Sequence, residues 1–337
     1  MPDSFNPRDK EAQLRSESHS WDTRQVQEST VGDIPLIDVK DYFQTLSDVT
    51  LDQVASQLRE ACTEVGFCSL VGHQFPSSIL QQALDETRRF HDQPIEIKNS
   101  LLMDKPDWPI KGVGYLPFNN FKLPARDKGN LNEAFVIKRD QATSLDDNQW
   151  PGEDQLPGFR RRIETYAREI EKLAKQLLPI YARALKLDRD YFEPAFTSPL
   201  YRLRLSRYPS FTQKDSEGFG IAPHVDTTFF TLLAQDSPGL VIYSEKRQCW
   251  IHAPVIEGAF VVNTGELLKQ WSNDLFISVK HFANNNTSDK SRYSIPFFFN
   301  ANADFKMECL PSCCDADNPP KYPPISYRDS QGIVQGE

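Results

Sequence analysis

What this chain has little of bounds its function first. Six cysteines (Cys62, Cys68, Cys249, Cys309, Cys313, Cys314) stand scattered with no Cys-x-x-Cys pair. That pattern gives no zinc-ribbon spacing, and adjacent Cys313 and Cys314 are poor disulfide partners for each other, so we expect reduced thiols in a reducing, cytoplasmic setting. No apolar run approaches the length needed to cross a bilayer, and the polar, charged N-terminus lacks a signal-peptide core. Positive charge is in deficit: 38 Lys and Arg against 47 Asp and Glu leave a net charge of −9. No general nucleic-acid or anionic-membrane partner is therefore expected.

What is present is a soluble-protein composition over 337 residues, enough to bury a full core as one large domain or two closely packed ones. Residues 1 to 30 are polar and expected to form a flexible tail, or an arm that orders only on packing. From 31 to 150 the pattern mixes short apolar strands with amphipathic helices. These are Ile34 to Asp38, a helix over 51–65 with Leu51, Val54, Leu58, Ala61 and Val65 on one stripe, a strand over 66–71 and a helix over 79–90. Residues 104 to 157 are rich in Pro, Gly, Asn and Asp; apart from a strand expected over 131–137, they read as loops that contribute a substrate-facing lid. The 151–325 segment opens on a long helix expected to kink at Pro179. From about Tyr201 its hydrophobic period changes to two, with strands expected over 203–208, 224–233, 240–243, 250–254, 260–263, 278–282 and 293–300. Residues 326 to 337 are a tail. Many short strands separated by turns indicate a sandwich or barrel with flanking helices.

Three pieces in this second half carry chemistry: His224-Val225-Asp226, then His281, then Arg292-Tyr293-Ser294. Alternate residues of a strand share a face, so His224 and Asp226 would point the same way, with His281 brought opposite by another strand. Two imidazoles and one carboxylate hold one face of Fe(II) and leave positions open for exogenous ligands. No spacing offers the fourth His or Cys of a closed zinc site. An arginine at the head of a dense apolar strand is costly to bury unless it meets an anion, and Ser294 adds a donor on the same face. A guanidinium beside a hydroxyl suits a dicarboxylate whose other end chelates the metal. Arg-x-Ser also occurs at 204–206 and 328–330. The first precedes the metal motif and the second sits in a turn-like tail, so neither is taken as the anchor.

These motifs, with Tyr208-Pro209, HVDTTFFTLLAQDSPGL (224–240), FVVNTGELLKQWSN (260–273), KHFANN (280–285) and RYSIPFFFNAN (292–302), resemble the isopenicillin-N-synthase-like family of Fe(II)/2-oxoglutarate-dependent oxygenases. The likeness covers most of residues 33 to 325. It implies a mainly β fold, a distorted double-stranded β-helix (jelly-roll), with iron on His224, Asp226 and His281. 2-Oxoglutarate would meet Arg292 and Ser294, with Tyr208 as a further donor, and O2 would be activated to oxidise a C–H bond of a small metabolite. Ser206 stands where many members carry Asn. Candidates for the substrate wall are Tyr115, Phe118, Asn119, Phe121, Asn132, Phe135, Phe229 and Phe298, a mostly aromatic set that points to an apolar or aromatic substrate. Two alternatives stay open at this point: an iron oxidase that uses no 2-oxoglutarate, and a jelly-roll binding protein without catalysis.

Overall fold

The computed structural model describes residues 25–103, 105–108, 110–119, 129–139, 145–211 and 218–332. In chain order its principal strands are β1 (Val26–Gln27), β2 (Leu36–Asp38), β3 (Phe67–Val71), β4 (Gly114–Leu116), β5 (Glu133–Arg139), β6 (Leu200–Tyr208), β7 (Phe219–His224), β8 (Phe230–Gln235), β9 (Leu240–Ser244), β10 (Cys249–His252), β11 (Phe260–Thr264), β12 (His281–Asn284) and β13 (Arg292–Asn300). The principal helices are α1 (Lys40–Thr45), α2 (Asp48–Glu64), α3 (Ser77–His91), α4 (Ile95–Asn99), α5 (Phe159–Ala184) and α6 (Glu266–Trp271).

Two sheets face each other. The larger runs β2-β3-β11-β8-β13-β6-β5-β4 and the smaller β1-β10-β9-β12-β7. Strand alternation divides the larger sheet cleanly. Phe135, Leu203, Leu205, Ile295, Phe297 and Phe299 point to one side, into the main core with α2 and α5. Their neighbours in sequence point to the other side, toward the smaller sheet. Between the sheets, Phe67 and Val261 of the larger meet Leu240, Ile242 and Ile251 of the smaller in a separate apolar cluster. The molecule is thus three layers (helices, large sheet, small sheet), the jelly-roll architecture, and the functional residues lie in the second gap.

The long helix forms as its period predicts, burying Ile163, Ala167, Ile170, Ala174 and Leu177, and it continues through Pro179 to Ala184. Residues 25–30 of the N-terminal segment take the second course expected of it, an arm ordered by packing. Val26–Gln27 pairs in parallel with Trp250 and Ile251 at the edge of the small sheet, while Arg247 holds the Glu28 carbonyl and Asp33. Residues 1–24 lie outside the described residues. All six cysteines are free thiols.

One buried ionic cluster fastens β5 to the helices. Glu133 accepts from Tyr115 Oη (2.5 Å), Lys98 Nζ (3.1 Å) and Arg207 Nη1 (3.4 Å), with His91 Nδ1 at 3.6 Å. Burial pushes this carboxyl up, but His91, Tyr115 and Lys98 outweigh burial and hold it at about 2. A depressed carboxyl pKa adds stability that is fully present above the unfolded value and drains away as pH falls through the folded one. Glu133 should therefore contribute on the order of 3 kcal/mol above pH ~4.5, lost progressively toward pH ~2. Urea unfolding of the wild type and Glu133→Gln across that window checks this: the gap between them should narrow with acid.

Candidate active site

The small sheet brings the two predicted histidines together. His224 ends β7, His281 begins β12, and the antiparallel register places them directly opposite each other. Their rings lie 4.3 Å apart between centroids. Asp226 is not on a strand. β7 stops at His224, and Asp226 stands in the bend before β8, so a turn and not strand alternation points it at the histidines. That turn is tied down by α6, whose Glu266 N–H donates to the Asp226 carbonyl at 2.8 Å and whose Leu267 N–H donates to Thr228 O at 3.2 Å.

Hydrogen bonds assign one free donor atom to each residue. His224 Nδ1 donates to Ala222 O (2.9 Å) and His281 Nδ1 to Val279 O (3.1 Å), which fixes the tautomer and leaves both Nε2 atoms as acceptors. Asp226 Oδ2 accepts from Thr231 Oγ1 (2.7 Å) and Asn263 Nδ2 (2.8 Å), leaving Oδ1 at 3.7 Å from each Nε2. Among the described residues this is the one group of three His, Cys, Asp or Glu side chains able to hold an ion, its ligand atoms all within 4.8 Å of one another. Burial, then the charge of His281, push the His224 imidazole down to about 4, the neutral form a metal needs. Burial works against ionising Asp226, but His281, His224, Asn263 and Thr231 hold it below the ordinary carboxylate range. Two imidazoles with Nε2 free and one carboxylate on one side fit Fe(II). Thr231 and Asn263 were not read as functional from the sequence, although both stand within the quoted motifs. Thr231→Val or Asn263→Leu should lower Fe(II) affinity about 10- to 100-fold, measured by equilibrium dialysis under argon.

On the facing sheet, Arg292 opens β13 opposite Tyr208 of β6, and Ser294 lies opposite Ser206. The Arg292 guanidinium packs over the Tyr208 ring, 4.5 Å from its centroid. Gly220 of β7 lies against that ring: a Cβ there would stand 2.7 Å from Tyr208 Cδ1, which places the tyrosine between the sheets. Gly239 gives the arginine room, since a Cβ would lie 2.8 Å from its Cδ and Nε. Arg292 is only 4% exposed, yet among the described residues it meets neutral acceptors alone. Nε donates to Ser237 O (3.0 Å) and Nη2 to Gln235 Oε1 (2.9 Å), while Nη1 is buried without a partner. The acid beside it, Asp236, is engaged by Arg88, Ser237 and the Tyr293 N–H. A buried cation with no carboxylate of its own among the described residues is the counterpart an anionic ligand requires. The Ser206 Oγ and Gln235 Nε2 atoms are likewise buried and unpartnered. Such a concentration of unsatisfied polar atoms on one inner face marks a ligand site.

The expected substrate wall separates. Asn132 and Phe298 stay with the inner face: Asn132 is 2% exposed with both amide atoms unpartnered, and Phe298 lies opposite Thr231 and Arg202. Tyr115 and Phe135 face the other way, packing on Phe90, with Phe135 also against Trp150 and Phe159. Phe229 is core among Tyr181, Phe196 and Trp271. Phe118 is 38% exposed and stacks on Phe211. Asn119 occupies a left-handed turn (φ 60°) where its Oδ1 accepts from the Gly129 N–H. Phe121 lies outside the described residues.

Comparison with known proteins agrees along nearly the whole chain. Residues 34–153 match the family described as non-haem dioxygenase in morphine synthesis N-terminal, and residues 199–301 match the 2OG-Fe(II) oxygenase superfamily. The 2-oxoglutarate-Fe(II) type oxidoreductase hxnY of Emericella nidulans is 30% identical over 309 residues, covering 88% of this chain and 87% of that protein. Azadirone synthase of Melia azedarach is 32% identical over 298 residues, covering 82% and 86%. Among solved structures, a full-length Neurospora crassa protein in complex with alpha-KG superposes with a TM-score of 0.80 at 25% identity, covering 91% of this chain and 98% of that one.

Proposed function

Because this chain belongs to the 2-oxoglutarate–Fe(II) oxygenase superfamily, we propose that His224, Asp226 and His281 hold its iron and that Arg292 and Ser294 hold the far carboxylate of 2-oxoglutarate. The protein is an oxygenase dependent on Fe(II) and 2-oxoglutarate, with O2 as co-substrate. Bound iron and 2-oxoglutarate together supply the oxidant: O2 is consumed, 2-oxoglutarate leaves as succinate and CO2, and a substrate C–H bond is oxidised.

The protein's own residues bind, orient and keep the site dry. The Nδ1 bonds to backbone carbonyls hold both imidazoles with Nε2 forward. Thr231 and Asn263 hold Asp226 so that a single oxygen faces the histidines. Phe67 lies edge-on against His281 at 5.3 Å and shields it from the apolar side. Tyr208 carries the Arg292 guanidinium on its ring face, and Ser206 stands beside Ser294 with a hydroxyl free for the co-substrate. The observation that carries the co-substrate reading is the unpartnered Nη1 of buried Arg292.

The substrate is a small molecule, and the similarity to a plant azadirone synthase supports a role in tailoring specialised metabolites. Free cysteines support a reducing, cytoplasmic location; among the described residues no helix is long and apolar enough to cross a membrane. The test is stoichiometric. Purified protein with Fe(II), O2 and ascorbate should convert 2-oxoglutarate to succinate slowly without added substrate. O2 uptake with no requirement for 2-oxoglutarate would overturn the reading in favour of an oxidase.

A further inference from the structure

A second arginine, half-buried as a residue but with two of its guanidinium nitrogens fully buried, occupies the same inner face, and nothing in the co-substrate site uses it. Arg204 lies on β6 one alternation from Ser206, so its side chain shares the face of Ser206 and Tyr208 and not that of Leu203 and Leu205, which are core. Its Nε and Nη2 are buried with no hydrogen-bond partner, and among the described residues no acidic side chain pairs with it. Arg202 and the His224 imidazole lie within electrostatic range of it.

The charge balance of the pocket leaves this arginine over. A dicarboxylate co-substrate spans from the metal to Arg292 and matches that guanidinium with one carboxylate. The other carboxylate and Asp226 balance a divalent ion. One positive charge then stands uncompensated in a buried site, and it belongs to Arg204. Uncompensated buried cations are expensive unless the occupant supplies the anion. Opposite Arg204 across the β5–β6 ladder is Val136, and Val136, Ala134 and Leu116 form a small apolar cluster with half-buried Met103 on the same side. At the other end of this wall Asn132 offers its unpartnered amide.

We propose that Arg204 is a specificity-determining residue that selects a substrate bearing a carboxylate on a small apolar body, the body lying on Leu116, Ala134 and Val136 and the carboxylate on the guanidinium. This refines the expectation of a plain apolar substrate, and it rests on the assignment of iron and 2-oxoglutarate made above.

The test uses matched probes on the loaded protein. Anaerobic protein with Fe(II) and saturating 2-oxoglutarate is titrated calorimetrically with benzoate and with benzamide, and with phenylacetate and its amide. A charge-assisted hydrogen bond predicts that at least one carboxylate binds about ten- to a hundredfold more tightly than its amide. Arg204→Gln should remove that preference, and Arg204→Lys, which keeps charge but not the fork, should retain part of it. The visible 2-oxoglutarate charge-transfer band, recorded in the same samples, separates the two readings. No band in the wild type defeats the co-substrate assignment. A wild-type band with carboxylates binding no better than amides, or not binding at all, defeats the role of Arg204. Loss of the band itself in both Arg204 variants would also defeat it, by giving Arg204 to the co-substrate.

Discussion

Replacing Asp226 by alanine is expected to abolish succinate formation and to lower Fe(II) affinity by more than about a hundredfold, beyond what loss of a supporting hydrogen bond costs. Asp226 is the one anionic donor in the triad, and its Oδ1 stands equally far, 3.7 Å, from both imidazole Nε2 atoms. Without it, two neutral histidines face a divalent ion with no charge to offset desolvation, and Thr231 and Asn263 lose the acceptor they orient toward. His224→Ala should be as severe, because the register that sets His224 against His281 supplies two of the three donors. Equilibrium dialysis under argon measures the affinity, and succinate release measures turnover. Succinate production retained in both variants would contradict the metal assignment.

Replacing Arg292 by leucine is expected to raise the KM for 2-oxoglutarate by roughly 10² to 10³ while iron binding persists. Removing one partner of a buried charge pair costs on the order of 2 to 5 kcal/mol, and each 1.4 kcal/mol is tenfold. The effect should fall on KM more than on kcat at saturating co-substrate, since the proposed role of Arg292 is to grip the end of 2-oxoglutarate remote from the reacting carbon. Lysine should rescue only part of the loss: a guanidinium held by Ser237 and Gln235 presents its remaining nitrogen in a fixed direction, which a flexible ammonium cannot reproduce. Initial rates across a 2-oxoglutarate series distinguish the variants.

The His224, Asp226 and His281 cluster and the arginine proposed to meet the co-substrate were legible as candidates because each combines an uncommon residue type with a distinctive setting in the chain. The route by which they meet was less so. Strand alternation was expected to align His224 with Asp226, whereas β7 occupies residues 219–224 and a turn held by α6 delivers the aspartate. The substrate wall was read poorly for a physical reason. β5 is buried on both faces, so its sequence lacks the polar alternation that would reveal which residues face the core. Phe135 and Val136 are equally apolar, yet one packs under the helices and the other lines the inner face. Arg204 was set aside because it precedes the metal motif. Only the register pairing Ser206 with Ser294 shows that β6 runs alongside Arg292 and Ser294, the proposed co-substrate anchors. The Glu133 cluster joins residues from α3, α4, β4, β5 and β6, a convergence that no local pattern announces.

The most direct test is made without oxygen. Fe(II) is added to the purified protein, then 2-oxoglutarate, and the visible spectrum is recorded. The structure predicts a metal-to-ligand charge-transfer band that appears only when both are present, is absent in His224→Ala, and in Arg292→Leu requires far more 2-oxoglutarate. Iron bound by the wild type with no band at any 2-oxoglutarate concentration would contradict the account.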